Sequence, residues 1–124
     1  MSTLLIIEDD VHIRGNLRLV LGLEGFRVIE AETGGEGLAL ALRGEADGIL
    51  CDVMLPEIDG FEILARLRNA PAWRPVPFIF LSARADSASR QAGLALGASD
   101  YLTKPFALSE VISLVRRHVD KASP

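Results

Sequence analysis

The chain carries one cysteine in 124 residues. A lone thiol forms no internal disulfide, so packing must hold the fold, and such usage suits a reducing compartment. No apolar run approaches the ~20 residues of a membrane span. Met1-Ser2-Thr3 lacks the basic region that opens a secretory signal, so a cytoplasmic location is expected. Positive charge is short as well: 13 Lys and Arg against 17 Asp and Glu leave a net charge of −4. Contacts to phosphate backbones need a basic patch, so direct nucleic-acid binding by this domain is not expected. Low-complexity tracts are missing, and no repeat is visible beyond an alternation of strands and helices. What remains is core: 49% of the residues are hydrophobic. The whole of 1–124 reads as one domain, of a size that buries roughly two-thirds of its unfolded surface.

The stretch Ile49-Leu50-Cys51-Asp52-Val53-Met54-Leu55-Pro56 organises the rest. An apolar, β-branched run bounded by a turn signal reads as an interior parallel strand. Asp52 stands at its carboxyl end, the edge of an open α/β sheet where ligands bind. Thr3 to Ile7 is predicted as a first strand, ending in Glu8-Asp9-Asp10. Ile13, Leu17, Val20 and Leu21 recur at helical spacing, and Gly22 and Gly25 loosen that helix. Phe26 to Ala31 gives a second strand. Thr33-Gly34-Gly35-Glu36 has capping-box spacing and opens a helix that runs to about Arg43. The third strand is Gly48 to Cys51, and Asp59-Gly60-Phe61-Glu62 opens a helix through about Asn69. Pro71, Pro75 and Pro77 make the next connection a loop. Val76 to Leu81 is the fourth strand, ending at Ser82-Ala83. Asp86 can cap a helix that stops near Gly97. Tyr101 to Thr103 is a short fifth strand before Lys104-Pro105. Leu108, Val111, Ile112, Val115 and Val119 form the stripe of a closing amphipathic helix. Five such strand–helix units give right-handed crossovers and a parallel sheet covered on both faces, a flavodoxin-like (βα)5 doubly wound α/β sandwich.

The carboxyl ends of these strands deliver Glu8 and Asp9, Asp52, Ser82 and Lys104 to one edge. Folding alone requires no such gathering, and crowded carboxylates repel. A hard divalent cation removes the repulsion, and carboxylates, carbonyls and waters are what Mg²⁺ prefers. With charge neutralised by the metal and Lys104, Asp52 can act as a nucleophile toward phosphorus, and the Ser82 hydroxyl can donate to a phosphoryl oxygen.

These motifs, in order and at these intervals, resemble the receiver domains of two-component response regulators, the CheY-like family. The likeness rests on Glu8-Asp9, Asp52 with Met54-Leu55-Pro56 and Asp59-Gly60, Ser82-Ala83, and Gly97-Ala98 before Tyr101 and Lys104-Pro105-Phe106. It covers essentially the whole chain. It implies strand order 2-1-3-4-5, Asp52 as phosphoacceptor, Asp9 as direct metal ligand, Glu8 as a ligand through water, and the Met54 backbone carbonyl completing the set. Mg²⁺ is the implied metal, with Mn²⁺ or Ca²⁺ able to substitute. Lys104 pairs with Asp52 before phosphorylation and with the phosphoryl group after it, and Lys104-Pro105 is expected to be cis. Ser82 and Tyr101 resemble the family's switch pair. Met54 and Arg84 fall where the family tunes the lifetime of the phosphoryl group. The implied donor is a sensor histidine kinase or a histidine phosphotransfer protein. The implied reader is an output domain or downstream protein on the face of the fourth helix, fifth strand and fifth helix. A phosphorylation-dependent homodimer through that face is left open, because Arg90 and Glu110 match one charge pair while Leu114 and Ser99 replace charged members of others. Self-phosphorylation and self-dephosphorylation are the only catalysis implied.

Plainer assignments stand beside these. Asp10 is read as a helix N-cap outside the metal shell, Asp59 and Glu62 as a helix start, Cys51 as a small core residue, and His12 and His118 as surface residues. Trp73 receives no role. Ala122-Ser123-Pro124 can begin a linker, so the domain either stands alone or belongs to a longer regulator. Three other functions are weighed. A haloacid-dehalogenase-like hydrolase needs an acid two residues after its nucleophile, and that position is Met54. A flavin module needs a phosphate loop after the first strand, where Glu8-Asp9-Asp10 repels phosphate. A receiver-fold interaction module that signals without phosphorylation is the remaining alternative.

Overall fold

A computed structural model of the chain describes residues 1–119. Ten elements alternate: β1 Thr3–Ile7, α1 Val11–Leu23, β2 Arg27–Ala31, α2 Gly34–Leu42, β3 Gly48–Asp52, α3 Gly60–Arg68, β4 Phe78–Ser82, α4 Ser87–Ala95, β5 Asp100–Thr103 and α5 Leu108–His118. All four strand pairings are parallel and the order is β2-β1-β3-β4-β5, the flavodoxin-like order that the resemblance implied. The linker suggested at Ala122-Ser123-Pro124 lies outside the described residues.

The period-2 alternation of β1, β3 and β4 sends successive side chains to opposite faces. Leu5, Ile7, Ile49, Cys51, Phe78 and Phe80 join Ile63, Leu64 and Leu67 of α3 in one core layer. Leu4, Ile6, Leu50, Ile79 and Leu81 join Leu17 and Leu21 of α1 and Val111 and Val115 of α5 in the other. A sheet so covered holds its carboxyl edge still, which is the property the site needs. Cys51 is fully buried in the first layer, and burial raises its thiol pKa well above the ordinary value, as befits an inert core residue.

The helix starts follow the local chemistry of the sequence. Asp10 accepts from the N–H groups of His12 and Ile13, Thr33 from Glu36, Asp59 from Glu62 and Asp86 from Ser89. Each satisfies a donor that the first helical turn leaves orphaned. Glu36 reaches back to the N–H of Glu32 and not to that of Thr33, so the predicted capping box at α2 is displaced by one residue.

Three local expectations are corrected, and one residue left without a role gains a place. β4 begins at Phe78 and not at Val76, because Pro77 has no N–H to give a ladder and contributes only its carbonyl, to the N–H of Ile49 at 2.9 Å. β2 begins at Arg27, since Phe26 turns into the core under α1. Leu108 of the α5 stripe is 38% exposed, at the first position of that helix, while Val111 and Val115 below it are buried. Trp73, which had no assigned role, is 9% exposed and packed in the same layer as Leu67 and Phe78. It plugs the end of the core opposite the acidic edge.

Candidate functional site

β1 and β3 are adjacent and in register, with Ile7 opposite Cys51. The residue after each partner therefore brings Glu8 and Asp52 to the same level of the edge. Oxygen atoms of Glu8, Asp9 and Asp52 all lie within 4.8 Å of one another. Glu8 is fully buried and Asp52 4% exposed, while Asp9 faces solvent. Burial is the main influence on Glu8 and pushes its pKa up to about 7, with Lys104 and the Asp10 N–H pulling it down and Asp52 adding to the rise. Arg14 holds the end of β1, donating to the Glu8 carbonyl at 2.8 Å while pairing with Glu30.

Lys104 closes the site. Its Nζ donates to Asp52 Oδ2 at 2.8 Å and lies 2.7 Å from Glu8 Oε1. The second contact is a charge contact whose angle makes no hydrogen bond, and Glu8 Oε1 stays buried without a hydrogen-bond partner. Burial opposes the charge on Lys104, but the two carboxylates outweigh it and raise its pKa. The Lys104-Pro105 bond is cis, as expected. The Lys104–Glu8 contact was not legible in the sequence, which pointed Lys104 toward Asp52 alone.

Ser82 is the last residue of β4 and fully buried, and its Oγ accepts from the Arg84 N–H at 3.0 Å. Tyr101 is 2% exposed, its ring 6.2 Å from that of Phe80, and its hydroxyl donates to the Arg84 carbonyl at 2.8 Å. The predicted pair is thus joined through one backbone residue, with the ring tucked inward. Arg90 of α4 donates to the Tyr101 carbonyl at 2.9 Å, sits over its ring at 6.0 Å and lies 3.7 Å from Asp100. Asp100 also meets His118 of α5 at 3.3 Å, so His118 is half-buried and partnered, and not the simple surface residue expected. Glu110 accepts from the Ala107 N–H, so Arg90 and Glu110 are both engaged within the domain. The side chains of Met54 (53% exposed) and Arg84 flank the edge in solvent.

The loop between β3 and α3 is held tightly to Asp52. Met54 N–H donates to Asp52 Oδ1 at 3.1 Å, and Gly60 N–H donates to the Val53 carbonyl at 2.8 Å. A Cβ on Gly60 would stand 2.4 Å from the Asp52 carbonyl oxygen, so only glycine lets α3 start here.

The donor set fits a hard divalent cation. Its atoms are all carboxylate oxygens, and one of them, the buried Glu8 Oε1, has a charge contact with Lys104 but no hydrogen bond. With every group ionised, three carboxylates less the single Lys104 ammonium leave two negative charges. Glu8, Asp9 and Asp52 are the residues that can hold such an ion.

Fold and site together define a class: a flavodoxin-like domain whose carboxyl edge carries a metal-ready acidic pocket closed by a lysine. Residues 4–116 match the response regulator receiver domain, and the chain belongs to that family of two-component signalling proteins. It is 41% identical over 128 residues to the KDP operon transcriptional regulatory protein KdpE of Escherichia coli, covering 100% of this chain and 56% of that protein. It is 38% identical over 121 residues to the response regulator MprA of a Mycobacterium species, covering 98% of this chain and 52% of that one. The chain therefore spans about half the length of these curated relatives. Among solved structures, the Vibrio cholerae chemotaxis protein CheY4 superposes with a TM-score of 0.88 at 29% identity, covering 96% of this chain and 99% of that one. Among the described residues, no helix is long and apolar enough to cross a membrane.

Proposed function

We propose that the domain is a switch operated by phosphorylation of Asp52. A carboxylate oxygen of Asp52 attacks the phosphorus of a phosphohistidine on a sensor kinase or phosphotransfer protein. A P–O bond forms, the P–N bond breaks, and its electron pair returns to the imidazole nitrogen. Asp9, Asp52, the Met54 carbonyl and, through water, Glu8 would hold Mg²⁺, which would neutralise charge on the transferring group. Lys104 leaves its pairing with Asp52 to contact the new phosphoryl oxygens, and its raised pKa keeps it charged for that task. Ser82 gives up its turn with Arg84 to donate to the phosphoryl group, and the inward Tyr101 fills the space behind it. The face of α4, β5 and α5 carries the change to an output domain or downstream protein. The role is the same whether the domain acts alone or within a longer regulator, in the cytoplasm where kinases present their phosphohistidine.

The observation that supports this most directly is the unbalanced charge of the pocket, with Asp52 both buried and held by Lys104 at 2.8 Å. The domain turns over nothing except its own phosphorylation and dephosphorylation, because the position two residues after Asp52 is Met54 and offers no acid. Intact mass after incubation with acetyl phosphate, with and without Mg²⁺, tests the reading. One metal-dependent phosphoryl adduct, lost in Asp52→Asn, is expected. No adduct under any condition would overturn it in favour of a module that signals without phosphorylation.

A further inference from the structure

Glu57 is the sole residue other than glycine with a positive φ among the described residues, at 74°. A side chain with a Cβ is disfavoured in this region, and glycine or asparagine is the usual occupant. Something must hold Glu57 there. Its Oε1 accepts from the N–H of Gly35 in the first turn of α2, at 3.2 Å. That donor is one a helix start leaves orphaned, at the positive end of the helix dipole. The approach depends on two glycines. A Cβ on Gly35 would stand 2.6 Å from Glu57 Oε1, and one on Gly34 would stand 2.2 Å from the Ile58 carbonyl oxygen. Gly34 N–H also donates to the Pro56 carbonyl at 3.4 Å. The first turn of α2 is thus a flat platform on which Pro56, Glu57 and Ile58 lie.

The tether from this contact to the acidic pocket is short and stiff. Only Leu55 and Pro56 separate Glu57 from Met54, and proline fixes one of the intervening dihedrals. Met54 donates its N–H to Asp52, and its carbonyl is the backbone ligand in the function proposed above. At the far end Gly60 packs closely on Asp52, where a Cβ would stand 2.4 Å from the carbonyl oxygen, and its N–H donates to the Val53 carbonyl at 2.8 Å. Movement of the loop at Glu57 is therefore passed to Met54.

We propose that Glu57 is a positioning residue for the metal pocket: its carboxylate latches the loop after β3 onto the first turn of α2 and so fixes Met54 at Asp52. This rests on the metal-dependent reading of the site. Two variants separate the latch from the backbone conformation. Glu57→Gly suits the positive φ but has no carboxylate. Glu57→Gln keeps an acceptor for the Gly35 N–H. Mg²⁺ affinity by isothermal titration calorimetry, the urea midpoint without metal, and amide hydrogen exchange at Gly35 and Met54 are measured on the full chain. For Glu57→Gly the midpoint is expected to stay near that of the wild type while Mg²⁺ binds about tenfold more weakly, the loss typical of disturbed outer-shell contacts. The Gly35 and Met54 amides exchange faster in that variant, and Glu57→Gln recovers most of the affinity. Unchanged affinity in Glu57→Gly beside a wild type that binds Mg²⁺ overturns the latch alone. A wild type that neither binds Mg²⁺ nor forms the adduct overturns the latch and the function together.

Discussion

Replacing Lys104 by methionine tests the electrostatics of the pocket most sharply. The ammonium lies 2.7 Å from Glu8 Oε1 and 2.8 Å from Asp52 Oδ2. At an effective dielectric of about 20, each attraction is about 6 kcal/mol before the cost of desolvating the three groups is set against it. Removing one member of a buried ion cluster leaves the others uncompensated, at a net cost of about 3–5 kcal/mol. Against a domain stability of roughly 5–15 kcal/mol, such a loss is large enough to read in an unfolding curve. The loss should depend on pH, because Glu8 has a way out. Its folded pKa is already raised to about 7 from an ordinary 4.5. Between those values the folded state binds a proton that the unfolded state has released, so this group lowers stability as pH rises through the window. Without Lys104 the folded pKa climbs further and the penalty continues to grow above neutrality. Urea unfolding of wild type and Lys104→Met, without metal, should therefore show a gap that is smaller near pH 5, where only the Asp52 contact is missed, than near pH 8. Excess Mg²⁺ at the higher pH should narrow it, since the metal replaces the missing cation and meets no ammonium in the variant. A gap independent of pH, or one that Mg²⁺ widens, would refute the reasoning.

The remaining expectations concern the loop, the rim and the signalling face. Gly60→Ala should lose about 1–3 kcal/mol in urea unfolding, the usual range for overpacking, and should slow adduct formation, because the new methyl is driven into the Asp52 carbonyl. The double variant Met54→Asn/Arg84→Glu should hold its phosphoryl group for a shorter time than the wild type, measured by decay of the intact-mass adduct, because a bulky apolar side chain and a long cation at the rim are lost; equal lifetimes would sink the idea. Tyr101→Phe loses a hydroxyl that donates to the Arg84 carbonyl and should cost about 1 kcal/mol. Light scattering with beryllofluoride as phosphoryl mimic should show a weak dimer or none, since Leu114 and Ser99 supply no charge and Arg90 and Glu110 already have partners within the domain.

Much of this site could be read along the chain because its parts are local. A polar residue directly after an apolar strand announces its own position at the sheet edge, as Glu8, Asp52, Ser82 and Lys104 do. Helix caps were legible for the same reason: Asp10, Thr33, Asp59 and Asp86 act within three residues of themselves. Strand order was not, because it depends on which crossovers lie side by side, and only resemblance supplied it. Trp73 lay between prolines without periodicity, so nothing marked it as core. Glu57 carries neither the glycine nor the asparagine that signals a positive φ, and its partner, Gly35, is 22 residues away. The Glu8–Lys104 contact spans nearly the whole chain and arises only once β1 and β5 share an edge.

The burial of Trp73 has a practical consequence. The chain has one tryptophan and one tyrosine, and the fold buries both in one core layer. The indole is sealed at the amino end of the sheet, in contact with core and remote from the acidic pocket, so its fluorescence reports whether the molecule is folded. The phenol at Tyr101 packs against Phe80 in that same core layer and is tied by its hydroxyl to the Arg84 carbonyl. In so small a domain an excited phenol passes its energy to the indole, so the emission of Trp73 is the one native optical probe, and it reads the integrity of the core with no label required.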